Sequence, residues 1–446
     1  MADDLLTRDF DLDHQLFSPN SPWNGKIGRL SENENTPERP VLPESELQCY
    51  ATFEILRWAS FAEIAQKATG CAPNLEKLRQ QFDEIGSPLG AGQLSTPSVS
   101  VETFTFPIFD AGDERSNIPV QRYGESPDRR LPGFPTVTVE HRLEGDVSVA
   151  QDIPHPATCI RPSDPADNGS DGSMILLDRS TSTEYDFWQA TVRDFNGAPQ
   201  FAGSTGDRIL AAGAIARFDY SHDTGLGLTN VEEGRRNSGR ASGLPYLGGL
   251  IIPENFKQQG HLPEADLSQF DLGHALAFAL PAMRYLASRR LGHGLCDLAN
   301  DVVFPATSSE TSYGTVNPFA LASGQRIRLK KSIRNRFGNP LNENELRPIT
   351  RLFLNTLRRF GAYLVDGGLG FGFAAEDYHT AKVTLQPNEI EWLVTTPDGS
   401  PAERIEGETD WQFLMAALSE DLFQNQFVFA AHVEQGFIES NFDVVR

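Results

Sequence analysis

Residues 173–190, SMILLDRSTSTEYDFWQA, hold two strand-like runs, MILLD and TEYDFW, around a Ser/Thr-rich turn. Side chains alternate across a strand, so Glu184, Asp186 and Trp188 share one face of the second run. The same character extends along the chain. SVSVETFTF, TVTVEH, AIARFDY, LGGLII, VVFP and QRIRL are short runs rich in Val, Ile, Thr and Phe, separated by Pro and Gly. In HALAFALP, His274, Leu276, Phe278 and Leu280 alternate with three alanines, which is strand periodicity. Strands do not alternate regularly with helices, so a doubly wound sheet is disfavoured. A mainly β fold, an antiparallel β-sandwich, is expected.

Around that body the sequence predicts three parts. Residues 1–44, rich in Pro, Asn, Glu and Ser, read as an extended polar arm that wraps the core or reaches a partner. Residues 45–92 read as a helical element. Ser45 and Gln48 have capping-box spacing there, and a second helix near Asn74 to Ile85 follows the break at Gly70 and Pro73. Residues 93–446 form the main domain, with a few peripheral helices. One runs from about Glu343 to Phe360 and stops at Gly361, where AYLVD begins a strand. Another lies around Trp411 to Phe423, after a turn at Pro397, Asp398 and Gly399, and FVFAAHV returns to the body.

The balance of 38 basic against 61 acidic side chains gives a formal charge of −23, which disfavours nucleic acid and anionic lipid as partners. The most basic stretch, Arg326 to Arg336, has the chemistry to meet an acidic glycan, although such a run is ordinarily a solvated face. No apolar run approaches the roughly 20 residues of a membrane span. The first residues lack a secretory-signal pattern, so the compartment stays open between cytoplasmic and secreted with its signal removed. Cys49, Cys71, Cys159 and Cys296 show neither CxxC nor metal-ligand spacing, and a Cys49–Cys71 disulfide depends on geometry. Asp167, Gly169, Asp171 and Asp178 match a calcium loop only in part. No metal and no cofactor are expected. The chain has no HExxH, phosphate loop or serine elbow, and GGLGFGF from Gly367 lacks nucleotide-binding spacing.

The blocks LLD, RSTST and EYDFW, then SGLPYLGGLIIPEN, HALAFALP, VVFPA, SGQRIRL, RRFGAYLVD and AAED, follow one another between Asn117 and Glu376. In this order they resemble a group of largely uncharacterised bacterial jelly-roll-like β-sandwich proteins, and the resemblance implies that fold without an activity. Where that group often has a histidine, this chain has Asp171, Gly172, Ser173 and Met174. EYDFWQ is also similar to the acid-x-acid strand of concanavalin-type glycoside hydrolases, in which a nucleophile and a general acid flank a helper aspartate. The third acid of that pattern falls at Gln189.

Glycoside cleavage commonly uses two carboxyl groups, roughly 5 Å apart for retention or about 6.5–9.5 Å for inversion. Glu184 and Asp186, two apart on a strand, suit such distances, and their repulsion in a partly dry groove raises one pKa. Trp188 offers a flat platform for a sugar ring. Tyr246 lies in a bent Gly/Pro segment, and Arg240 is placed to neutralise an anionic group. His274 with a tyrosine has the acid–base chemistry of β-elimination from a uronate, and Tyr220 with His222 is a second such pair. The ordinary alternatives are exposed acids on an acidic surface, a core tryptophan and a hydrogen-bonded histidine at a strand edge. The expectation is a carbohydrate-active protein that cleaves a polysaccharide or oligosaccharide, as a glycoside hydrolase or uronate lyase. Its catalytic residues are Glu184, Asp186 and His274, and its substrate-binding residues are Trp188, Arg240 and Tyr246. The alternatives are a non-catalytic surface or assembly protein, forming a homo-oligomer through the arm, and a glycan-binding protein.

Overall fold

The computed structural model describes residues 11, 12, 17, 21–27, 97–102, 104–110, 116–117, 120–122, 154–155, 172–179, 182–188, 191–194, 208–212, 214–219, 240–257, 267–280, 283–284, 302–309, 314–315, 321–368, 370–432 and 438–445. The four cysteines, the element 45–92, TVTVEH, Asp167 to Asp171 and the Tyr220–His222 pair lie outside the described residues.

Period-two alternation in Leu276–Leu280 divides the core. Leu276, Phe278 and Leu280 join one apolar cluster with the helices, while Ala275 and Ala277 join another with Tyr246, Leu247, Ile175 and Leu177. This strand therefore lies between two packed layers, and one of its faces carries alanines because a second backbone passes close over them. Its sheet has six strands. In chain order they are β1 (Ser98–Val99), β6 (Leu276–Leu280), β7 (Arg326–Leu329), β8 (Ala362–Gly367), β9 (Gly372–Phe373) and β10 (Phe442–Val445). Their spatial order is β1-β9-β6-β8-β7-β10. A four-stranded sheet is built from β2 (Ile108–Asp110), β3 (Met174–Asp178), β4 (Thr183–Trp188) and β5 (Ala214–Asp219), in the order β5-β4-β3-β2. The described residues are thus richer in strand than in helix, with two principal sheets and few helices.

Strand pairing is mixed, where an antiparallel arrangement was expected. The hairpin β3–β4 is antiparallel, with Ile175 opposite Asp186 and Leu177 opposite Glu184. However, β2–β3, β6–β8 and β1–β9 pair in parallel. Parallel neighbours need long crossovers, and helices supply part of them. Between β7 and β8 runs α1 (Pro348–Arg359), which starts on Pro348 and buries Ile349, Leu352, Phe353, Leu354 and Leu357. It ends where Gly361 takes φ +68, because a Cβ there would lie 2.1 Å from the Ile327 carbonyl oxygen. Two further helices, α2 (Pro387–Val394) and α3 (Asp410–Gln424), complete this layer, the latter capped by Thr409 and Gln412. Arg347 pairs with Asp421 at 2.7 Å, and Thr350 donates to the same carboxylate at 2.8 Å, fastening α1 to α3.

The described part of the arm docks on the body. Trp23 is fully buried, stands edge-on to Tyr363 at 5.1 Å between centroids, and accepts the Ala275 N–H through its carbonyl at 2.7 Å. Gly248 and Gly249 make room for it. A Cβ on Gly249, at φ +73, would meet Ala277 N at 2.5 Å and Trp23 Cζ3 at 2.6 Å. Arg326 fixes the same stretch by donating to the carbonyls of Gly25 and Phe360. Asp11 pairs with Lys257 at 3.0 Å and Lys382 at 3.1 Å, and hydrogen bonds from those ammonium groups hold its pKa below the usual value. Among the described residues, no helix is long and apolar enough to cross a membrane.

Candidate functional site

Strand β4 is paired on both edges, by β5 and β3, and its residues from Thr183 to Phe187 are all buried. Glu184 and Asp186 occupy the face turned toward residues 244–250, with Ile175 and Leu177 beside them and Ala216 and Phe218 opposite them on β5. Both carboxyl groups have zero exposure. Asp186 Oδ2 accepts the Tyr246 backbone N–H at 2.8 Å, and Glu184 Oε1 accepts that of Leu247, also at 2.8 Å. Their other oxygens, Asp186 Oδ1 and Glu184 Oε2, have no hydrogen-bond partner among the described residues, and Asp186 feels the charge of Glu184. Two bare carboxylates buried side by side away from water repel each other, which favours a protonated state of the pair. Burial first, then the neighbouring Glu184 charge, pushes Asp186 well above the usual carboxylate range. Burial also raises Glu184, opposed by the neighbouring Asp186 and by the hydrogen bond from Leu247. The proton of the pair is therefore held more strongly by Asp186 than by Glu184.

Arg240 supplies the matching positive charge. Its guanidinium donates to the carbonyls of Pro245 at 2.6 Å, Gly248 at 2.7 Å and Tyr246 at 2.9 Å, and so gathers the bend 245–248 around itself. It lies 5.2 Å from the Phe106 ring centroid and 5.8 Å from that of Tyr246. Burial lowers its pKa, while Asp186, Asp366 and Glu184 oppose that shift in this order. Arg240 and the two acids thus hold opposite sides of one loop, the acids through its N–H groups and the arginine through its carbonyls. LGGLII is consequently a bent segment rather than a strand, with only Ile251 forming a bridge, to Ala375.

Of the six residues expected to form a site, four come together: Glu184, Asp186, Arg240 and Tyr246. All four are buried, Tyr246 at 1% and Arg240 at 2% exposure. They form a closed core cluster and not the walls of an open groove. Trp188 is half-buried at the end of β4. His274 is elsewhere. It precedes β6 and keeps the parity of Leu276 and Phe278, whose cluster packs on the helices, while Tyr246 packs with Ala275 and Ala277 on the opposite face. Its Nε2 lies 3.1 Å from Asn255 Nδ2, and its Nδ1 lies 2.9 Å from the Ala275 carbonyl oxygen. The hydrogen-bond partners thus assign the neutral tautomer with the proton on Nδ1. These two contacts join His274 to Asn255 and Ala275 and not to Asp186. The ordinary alternative of exposed acids fails equally, because burial is complete.

A second polar cluster had no signal beyond the block AAED. Asp377 accepts from the Thr105 hydroxyl at 2.6 Å and from the His379 backbone N–H at 2.9 Å, with His379 Nδ1 at 2.7 Å. The Thr380 hydroxyl accepts the Ile108 N–H at 3.0 Å and donates to Glu376 at 3.2 Å. These bonds tie β2 to the chain following β9. Among the described residues no group of His, Cys, Asp and Glu has the arrangement of a metal site. Comparison with family models, curated proteins and solved structures gave no match to this chain.

Proposed function

We propose that this protein is a non-catalytic glycan-binding protein of β-sandwich type, in which Glu184, Asp186 and Arg240 act as an internal clamp. The observation that carries the reading is the complete burial of both acids, each with one oxygen held by a loop N–H, that of Tyr246 or Leu247. A glycosidase acid must reach the glycosidic oxygen, and its partner must reach the anomeric carbon or a water beside it. Here each route is closed by the loop backbone that the acids hold. The pairing of Trp23 with Tyr363 and Ala275 supports a use of the arm within its own chain, which weighs against an assembly role for that stretch.

The second reading, polysaccharide cleavage, has one observation in its favour. Two neighbouring carboxyl groups that hold a proton unequally, with an arginine near both, have the electrostatics of an acid–base pair. It requires the 244–250 loop to leave. The test is product formation over neutral and acidic polysaccharides, following new reducing ends and the ultraviolet absorbance of an unsaturated uronate. Binding without product is expected. Reducing ends that vanish in Asp186→Asn overturn the clamp reading in favour of hydrolysis.

A further inference from the structure

Folding divides the basic stretch 326–336 into cations the protein uses and cations it presents outward. Arg326 holds the arm, Arg328 pairs with Asp443 at 3.1 Å, and Arg334 Nη1 donates to the Gly338 carbonyl at 2.7 Å. Lys331 and Arg336 are exposed, and among the described residues neither forms an ion pair. Carboxylates on neighbouring elements are engaged elsewhere, Glu343 with Arg358, Glu420 with Arg347 and Asp443 with Arg328. Positive charge therefore stands outward here on a chain of net charge −23.

Next to that charge is an aromatic ring in water. Phe337 is 57% exposed, and the Arg336 guanidinium lies over it, 4.7 Å from the ring centroid. The turn that carries both is rigidly built. Asn335 Oδ1 accepts the N–H groups of Phe337 and Asn339, both at 3.0 Å, and Asn335 N–H donates to the Asn339 carbonyl at 2.8 Å. At its base, Asn441 donates to the Arg334 carbonyl at 2.7 Å and accepts the Arg334 N–H at 2.8 Å. Arg336 N–H donates to the Gln426 carbonyl at 3.0 Å, which brings the end of α3 alongside, where Phe423 is also 57% exposed.

We infer that this turn, through Arg336 and Phe337 and with Lys331 five residues earlier in the same stretch, docks an anionic polysaccharide, a chain of uronate or sulfated sugars. This rests on the glycan-binding reading above. An exposed phenyl ring matches the C–H face of a pyranose, and a guanidinium beside it takes a ring carboxylate through two parallel N–H bonds. The exposed Phe337 ring, which matches the C–H face of a pyranose, is what favours a glycan here.

The test is affinity electrophoresis and calorimetry of the full chain with polygalacturonate, a neutral glucan and oligo(dT). We expect polygalacturonate to bind and to weaken as salt is raised. Lys331→Gln with Arg336→Gln should weaken it roughly tenfold and flatten the salt dependence. Phe337→Ala should weaken it with the salt dependence kept. These positions are exposed, so the melting temperature of each variant serves as the folding control. Failure of the wild type to bind polygalacturonate, or unchanged binding in the variants, overturns the inference. Oligo(dT) bound as tightly, and lost in the same variants, reassigns the patch to nucleic acid. Glucan binding that ignores the variants keeps the glycan-binding function while overturning this site; cleavage of polygalacturonate overturns the non-catalytic reading alone.

Discussion

Asp186 accepts the backbone N–H of Tyr246 at 2.8 Å from a fully buried carboxyl group, so a residue on a central strand fixes a loop sixty positions later in the chain. Glu184 repeats the contact one residue on, at Leu247, and Arg240 grips the same loop by its carbonyls. The loop in turn presents Gly248 and Gly249 to Trp23 and offers its Gly249 carbonyl to the Ala277 N–H at 2.9 Å. Acid pair, loop, arm and six-stranded sheet are therefore one mechanical unit.

The two acids should respond differently to substitution. Asp186→Asn keeps an oxygen for the Tyr246 N–H and gives Glu184 a permanent donor, so it imitates the protonated acid and should change stability little at neutral pH. Asp186→Ala leaves that buried N–H unpaired and should lose ~1–3 kcal/mol. Glu184→Gln removes the charge that balances Arg240, leaving Asp366 as its remaining anionic neighbour, and should be worse than Asp186→Asn. Chemical denaturation of the three variants at pH 7 checks the order.

Trp23→Ala should lose about 3–5 kcal/mol, as expected when a large buried aromatic is truncated. Deleting the arm through residue 27 should have a similar or larger effect, through lost core and not through a lost oligomer. Thermal melts followed alongside sedimentation separate the two. An arm-deleted protein with unchanged stability but a smaller mass would favour assembly.

Gly249→Ala should be more damaging than Gly399→Ala. Both glycines have positive φ, but a Cβ on Gly249 strikes the β6 backbone and Trp23, whereas a Cβ on Gly399 meets nothing within 4 Å. The shared backbone penalty is about 1 kcal/mol, so any excess in the melting shift of Gly249→Ala measures the clash.

What was legible in the sequence was local. The hairpin around Ser182 followed from alternation and a turn, and α1 with its stop at Gly361 followed from helical composition and a glycine in the left-handed region. Parity also put Glu184 and Asp186 on one face. It did not tell which face the 244–250 loop would cover, and that decides between groove and core. Likewise LGGLII is apolar enough for a strand, yet the close approach of Trp23 and Ala277 required glycines and bent it. Parallel pairings such as Ile108 with Ile175 depend on partners 67 positions apart, which no short window contains.

The claim that matters most is that Asp186 is a proton-carrying structural group. Its folded-state pKa is raised, so the unfolded chain releases this proton near pH 4 while the folded chain keeps it. Folding therefore takes up a proton above about pH 4, and this contribution to stability falls as pH rises until the folded pKa is passed. The decisive measurement is unfolding free energy from pH 4 to pH 9 for the wild type and Asp186→Asn. We expect the wild type to lose stability relative to the variant across that window, with folded spectra and glycan binding unchanged in both. A difference that stays flat with pH, or that grows in the wild type's favour as pH rises, would contradict the clamp.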